Sequence, residues 1–575
     1  MGKKSVITFR LTPVAVAVAG LLGFAGTASA FDIPSDNPDI RMSMDNILRY
    51  NLAWRMKSQD PGLANNVEAQ DESDALFNEN ELINKRIELY SEFDFKYKNN
   101  MGFRVSAQAW YDGAYGSDSK ARPDALGQNL ANRSVKGTFN NETQRFYHGP
   151  SGEFLDHFVW WQGKLGDTNI IARFGRHAII WGEGVVGNAQ AVSYSQVPSD
   201  GRKGLSSPGA SAKETALPIN QTTGTWQFRD DMSLSWQYTF EWNPNRFALG
   251  GTYLGPDAFS DNVVLAPAPG FVLPRVNPIE GKKGAYGLML KFHEPLLGTD
   301  VGVVYRKFSD TNPLAAQRFA VAPPGGNNVR YVFAKDITLW GLTFNNTIYD
   351  VAVGGEISHR HNMALLSRSG AANGGLATEF EGPKGDTWHA LVNGTFLFNQ
   401  TAIWDNASLL TELTYTSLDK VTKDPFNAFK SRSTAGAAAA ATCGVGKDEI
   451  FNACATHEAY NLALVFTPTW LQVYPGLDLS LGNTYVVGLK GNGPANGGGN
   501  EGSGQYKVNL GLDYHVKHRL DIAYTAFIGK HRYIGAGLSG VTAPTASGGL
   551  PVKATVGGGT FADRDYASVT YTYNF

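Results

Sequence analysis

The residues best placed to do chemistry are charges that interrupt an apolar rhythm. In Ala172-Arg173-Phe174-Gly175-Arg176-His177-Ala178-Ile179-Ile180-Trp181-Gly182-Glu183-Gly184, a strand-like pattern runs into Trp-Gly-Glu and loses its alternation. Lys213 and Glu214 follow after Pro208-Gly209-Ala210-Ser211-Ala212. Fixed charges of both signs, lining a narrow passage, sort ions and polar solutes at close range. Two readings of the segment from Trp181 to Gln227 are open. It is a constriction loop folded into a lumen, with Arg173, Arg176, Trp181, Glu183, Lys213 and Glu214 beside the path. Otherwise it is an external loop whose Trp181 anchors at a membrane interface. Arg173 and Arg176 have opposite parity, so the pattern leaves open which of them points inward.

Other chemistry is thinly represented. The sequence has no G-x-S-x-G elbow and no H-E-x-x-H pair. The Gly-rich stretch Lys490 to Gly504 lacks the Lys-Ser or Lys-Thr of a phosphate loop and reads as a flexible external loop. His515, His518 and His531 lie around a basic turn and loop, and His359-Arg360-His361 reads as polar side chains facing solvent at a strand end. No metal or cofactor is expected, and an enzyme is the least favoured class. Cys443 and Cys454 are the only cysteines. Close together in one loop of an exported chain, they predict a disulfide.

Positioning these residues requires strands. The amino end has the form of an export signal over 1–30: Lys3, Lys4 and Arg10, an apolar run from Val14 to Phe24, then Ala28-Ser29-Ala30. No later stretch supplies the roughly 20 consecutive apolar residues of a spanning helix. Mean hydropathy is −0.23. A formal net charge of −2 over 575 residues gives no nucleic-acid footprint. The 65 glycines and 12% aromatics suit strand bends, tight turns and interfacial girdles.

Period-two alternation is clearest between Arg86 and Asp112. Ile87, Leu89, Phe93 and Phe95 share one face; Arg86, Glu88, Glu92, Asp94 and Lys96 share the other. After Asn99-Asn100-Met101-Gly102 the pattern resumes, with Arg104 on the charged face. These mixed-sign charges are expected to line a lumen and brace its wall through cross-strand ladders. The rhythm recurs with short turns alternating with long polar segments. It includes a hairpin of Met232 to Trp242 with Arg246 to Leu254. The first strand is expected at Met42 to Met56, leaving no room for an N-terminal plug domain. The last is Tyr566 to Phe575, with Tyr571, Tyr573 and Phe575 outward as the signal for membrane insertion. The count is about eighteen strands, within sixteen to twenty. The fold expected for 31–575 is therefore all-β: one transmembrane antiparallel β-barrel with short periplasmic turns and long extracellular loops.

Several stretches resemble one exported family: Gly175-Arg176-His177 to Trp181-Gly182-Glu183, Pro208-Gly209 with Lys213-Glu214, Tyr286-Gly287-Leu288, Trp340-Gly341-Leu342-Thr343-Phe344, Glu356-Ile357-Ser358-His359-Arg360 and Gly385-Asp386-Thr387-Trp388. The chain resembles the proteobacterial outer-membrane family known as domain of unknown function thirteen-oh-two over nearly all of its mature length. That family more often has Gln at His177 and Tyr at His359. The resemblance implies an outer-membrane barrel working beside a periplasmic lipoprotein-sorting-like partner and a resistance-nodulation-division type exporter, moving lipophilic compounds or lipids. It implies no site residues.

The resulting expectation is a Gram-negative outer-membrane channel or transporter. Its surroundings would be lipid, lipopolysaccharide and the barrel-insertion machinery, with no nucleic acid. The alternative is a non-conducting docking partner of an export complex.

Overall fold

A computed structural model describes residues 31–60, 76–116, 141–255, 262–264, 272–274, 277–296, 298–320, 327–365, 382–424, 429, 455–529, 531–534, 552–555 and 561–575. Cys443 and Cys454 and the export signal over 1–30 lie outside the described residues.

Eighteen antiparallel strands close on themselves. In chain order they are β1 (Ile40–Arg55), β2 (Leu82–Tyr97), β3 (Met101–Asp112), β4 (Ser151–Leu165), β5 (Thr168–His177), β6 (Ile219–Arg229), β7 (Met232–Thr239), β8 (Tyr286–Glu294), β9 (Thr299–Phe308), β10 (Ile337–Ile348), β11 (Val351–Ala364), β12 (Lys384–Phe398), β13 (Asn406–Lys423), β14 (Glu458–Tyr474), β15 (Leu477–Lys490), β16 (Gly504–Tyr514), β17 (His518–Ile528) and β18 (Tyr566–Asn574). Each pairs with its sequence neighbours, and β18 closes the ring against β1, Tyr571 opposite Tyr50 and Val569 opposite Leu52. A three-residue strand, Phe31–Ile33, adds to the edge of β1 below the point where β18 stops.

Alternation explains the wall. Along β10, Trp340, Leu342 and Phe344 are 58%, 50% and 41% exposed, whereas Ile337, Leu339 and Thr343 are buried. An apolar outer face and a filled interior are the reverse of a soluble sandwich, and they match a barrel whose solvent is lipid. Tyr571 and Phe575 take the same outward side, and the Tyr573 ring stacks on Phe575 with centroids 5.0 Å apart. The turns at one end are tight. Tyr349 and Asp350 (φ 47° and 66°) have the paired positive φ of a two-residue hairpin loop, whose twist suits the flanking strands, and Lys98 and Asn99 (φ 50° and 55°) take the same conformation within the three-residue connection 98–100.

The strand number agrees with the sequence reading, but one strand is exchanged. Residues 246–254 form no strand. Their apolar residues, Leu249, Tyr253 and Leu254, are buried in a cluster with Phe77, Tyr115 and Tyr147. The missing strand is β6, which lies inside the segment assigned to a loop over 181–227. Its outward residues are Asn220, Thr222, Gly224, Trp226 and Phe228, so only one end reads as apolar. Gly224 accommodates the outward Trp236 ring, 2.1 Å from where a Cβ would stand. The true connection between β5 and β6 is therefore 178–218.

Candidate functional site in the barrel lumen

Residues 178–218 reach wall residues on both sides of the lumen. At one side the backbone is held by ionisable side chains of β9, β11 and β13. Glu356 accepts the N–H groups of Glu183, Gly184 (3.0 Å) and Val192 (2.5 Å). Glu412 accepts those of Val185 (2.8 Å), Val186 (3.0 Å) and Gly187. Arg360 donates to the carbonyls of Ala189 (2.9 Å) and Ala191 (2.8 Å), and Arg306 to those of Val192 (2.7 Å) and Tyr194 (2.8 Å). Irregular backbone buried away from water must have its polar groups satisfied. Here the wall supplies acceptors for successive N–H groups and donors for the carbonyls that follow.

Packing accompanies this. Trp181, Val192 and Tyr194 form one buried cluster with Met289, Val304, Phe308 and Leu339 of the wall. Small wall residues leave the room. A Cβ at Gly287 would lie 2.9 Å from the Trp181 ring, and one at Gly341 2.6 Å from Val192. Gly182, at φ 93°, allows the close pass over Glu356 that a side chain would block.

The other side is an ion network. A short helix, 201–206, starts at Asp200, whose carboxylate accepts from the Lys203 N–H (3.1 Å). A second, 212–215, carries Glu214, whose carboxylate accepts from the Ser211 N–H (3.0 Å). Arg49 of β1 grips Glu214 with two bonds of 2.9 Å and reaches Glu88 at 3.2 Å. Arg86 donates to Glu88 at 2.6 Å. Lys203 lies 3.1 Å from Glu214 and 3.6 Å from Glu88, and Ser207 donates to Glu88. Burial pushes the Glu214 carboxyl up, but Arg49 and Lys203 outweigh it and hold the group well below the usual carboxylate range. Arg246, on the next long connection, binds Glu153 (2.8 Å) and Asp200 (2.8 Å) together.

The residues singled out from sequence divide among these surroundings. Glu214 and Trp181 are buried within the packed segment. Glu183 accepts from Asn345 Nδ2 at 3.1 Å. Lys213 stays partly exposed, over the Tyr90 ring (4.9 Å) and 3.9 Å from Glu92. Arg173 lies over the Phe158 ring (5.7 Å) on the inward parity of β5 shared with the buried His177. Arg176 does not belong to the lumen. It shares parity with Phe174, which is 60% exposed, and pairs with Glu241 at 3.3 Å. Of the wall charges, Arg86, Glu88 and Glu92 are buried and Lys96 is exposed. Arg104 binds Asp94 (2.8 Å) and Glu92 (3.4 Å) while remaining 35% exposed at its side chain.

Sequence reasoning missed the residues that grip the backbone. Glu356, Arg360, Glu412 and Arg306 sit on strands whose alternation shows them facing inward, but what they face is set by a segment remote in sequence. The Gly-rich connection also differs from the external loop expected. Asn492, Ala495 and Asn500 are buried, and Gln190 donates to the Gly497 carbonyl at 2.7 Å. Toward the long-loop end, half-buried His359, buried Asp386 and exposed Asp419 bring one ligand atom each within 4.8 Å of one another, a geometry able to hold a cation. Asp386 already meets His361 (2.7 Å) and Lys420 (3.3 Å).

Among solved structures the chain is similar to OccAB4 of Acinetobacter baumannii (11% identity, 94% of this chain, 100% of that chain, TM-score 0.41). It is also similar to OprB of Pseudomonas putida (7% identity, 93% and 94% covered, TM-score 0.36) and OccK9 of Pseudomonas aeruginosa (10% identity, 93% and 98% covered, TM-score 0.38). No curated protein matches the sequence. The family model described as "Protein of unknown function (DUF1302)" matches residues 11–575, and the chain belongs to that family.

Proposed function

We propose that this is an outer-membrane transport protein, a closed barrel whose lumen is narrowed by residues 178–218. The observation that carries the reading is the two-sided anchorage of that segment, on Glu356 and Glu412 at one wall and on Arg49 at the other. A barrel of this size encloses an aqueous channel unless something fills it. Here the filling is built into the chain. Half-exposed Lys213 and Arg104, facing Asp94 and Glu92, would line the remaining path. Charges of both signs there favour zwitterionic or weakly charged solutes over strong selection for one ion.

Planar-bilayer recording tests this. The native barrel should conduct weakly. Replacing 183–214 by a short Gly/Ser linker should raise single-channel conductance several-fold, because the anchored filling is gone. If neither form ever conducts, the channel reading fails.

The tightness of the anchorage also favours a second reading, a non-conducting barrel docked to a periplasmic lipoprotein-sorting-like partner and a resistance-nodulation-division type exporter. Lipophilic cargo would then be handed over rather than diffuse. Membrane lipid, lipopolysaccharide and the insertion machinery that reads Tyr571, Tyr573 and Phe575 complete the proposed surroundings.

A further inference from the structure

Toward the long-loop end, three neighbouring strands bring together side chains that the lumen does not use. His359 comes from β11, Asp386 from β12 and Asp419 from β13. One ligand atom of each lies within 4.8 Å of the other two. His359 stands opposite Trp388, which is 43% exposed, so the imidazole takes the outward side of the wall; the two rings are 4.7 Å apart. Its Nε2 lies 3.5 Å from an Asp419 oxygen. That is long for a hydrogen bond, and neither ring nitrogen makes one among the described residues. It is close to the separation of two ligands on one tetrahedral zinc ion, roughly 3.4 Å for bonds of about 2.0–2.1 Å.

Backbone irregularity gathers the trio. Asp386 pairs with Lys420 while Thr387 pairs with Leu418, so Asp419 is an extra residue on β13. On the other side, Arg360 pairs with Thr387 and Met363 with Gly385, so His361 and Asn362 together face the one residue Asp386. Asp386 therefore sits between two β-bulges, and a bulge re-aims the side chains around it. One Asp386 oxygen is held in place by His361 Nδ1 (2.7 Å) and by the Asn362 N–H (3.3 Å). A ligand carboxylate needs such outer partners to fix its direction. The other oxygen faces the Lys420 ammonium at 3.3 Å. Lys420 is 65% exposed at its side chain, so it can swing into solvent and yield that oxygen to another cation.

We infer that His359, Asp386 and Asp419 form a site for a divalent transition-metal cation of the zinc class, with the Lys420 ammonium as its competitor. One imidazole with two carboxylates suits such ions, whereas calcium and magnesium take oxygen ligands alone. Three protein ligands, one of them exposed, leave a coordination position to water. The bound ion would tie β11, β12 and β13 together at the long-loop end. The inference is separate from the transport reading, since it concerns binding on the wall and requires no passage.

The test uses the full barrel, purified without a histidine tag, stripped with EDTA and titrated with Zn²⁺ by calorimetry at neutral pH. The expected result is one saturable site, tighter than any remaining uptake, that excess Ca²⁺ or Mg²⁺ does not block. The chain holds 11 histidines, so the variants carry the test. His359→Gln and Asp419→Asn should each weaken the site roughly tenfold or more. Lys420→Ala should tighten it about twofold to fivefold, the range of a lost surface ion pair. A misfolded barrel would not bind more tightly, so this variant separates the site from damage to the fold. Three results would each overturn the proposal and reduce the trio to an ion-pair network. They are no saturable Zn²⁺ uptake, uptake unchanged in His359→Gln and Asp419→Asn alike, and binding by Lys420→Ala no tighter than by the native barrel.

Discussion

Replacing Glu214 by Gln should unseat the segment that fills the lumen. The substitution keeps the shape of the side chain and removes its charge. Arg49 and Lys203, each with 4% of its side chain exposed, then share Glu88 with Arg86 as their only close carboxylate among the described residues. Stripping one partner from a buried ion pair costs about 3–5 kcal/mol, because the remaining charge stays out of water without compensation. That corresponds to a shift of roughly 100-fold to 4,000-fold from seated to released segment. Limited trypsinolysis at Lys203 reads this population directly, since cleavage of a transiently opened segment follows the opening equilibrium. The cleavage rate should rise roughly 100-fold or more. Glu142→Gln is the control: its partner Arg202 lies in the same segment, but Glu142 is 42% exposed at its side chain. An exposed pair contributes only about 0–1 kcal/mol, so this change should alter the rate at most about fivefold. If Glu214→Gln is cleaved no faster than Glu142→Gln, the network does not hold the segment and the reasoning from burial is wrong.

Four further outcomes follow from the same geometry. Glu412→Ala removes the acceptor shared by the N–H groups of residues 185–187, so hydrogen exchange at those amides should accelerate by at least roughly tenfold while exchange in β16 is unchanged. Because the Glu214 carboxyl is held well below the ordinary glutamate value of 4.5, its stabilising contribution is complete above the unfolded pKa and is lost only as pH falls through the depressed folded one. Single-channel conductance should therefore stay at its neutral-pH level down to about pH 4, and opening at pH 5 would contradict this. Arg104→Ala and Lys213→Ala should shift the reversal potential in a salt gradient toward cations, whereas Arg176→Ala, on the outer face, should leave it unmoved. Leu342→Arg places a charge on the exposed outer wall and should destabilise the barrel by up to roughly 2–4 kcal/mol in urea refolding into vesicles; a change within ±0.5 kcal/mol would remove that face from the bilayer core.

Much of the architecture is local and so was legible. The outward parity of Ile87, Leu89, Trp340, Leu342, Tyr571 and Phe575 follows from period two, and lipid imposes that period on every strand separately. The place of the short connection between β2 and β3 was legible, but its positive φ falls on Lys98 and Asn99, while Met101 and Gly102 already belong to β3. Where the outer face lost its apolar character, as in β6 with Asn220, Thr222 and Gly224, the signal vanished. Where a loop buried its own apolar residues, as at Leu249, Tyr253 and Leu254, it imitated a strand. These two departures offset each other in the strand count.

By itself the sequence determined that the chain alternates, turns tightly at one end and carries charge on the inner parity of its strands. What those charges do depends on which segment the closed ring brings against them. Alternation says that Arg49, Glu356 and Glu412 face inward; it cannot say that Arg49 meets Glu214 or that Glu356 and Glu412 receive the backbone of residues 183–192. Those partners lie more than 150 residues apart. Their attraction acts because closing the ring excludes water and places a loop against both walls, and no local pattern records that enclosure.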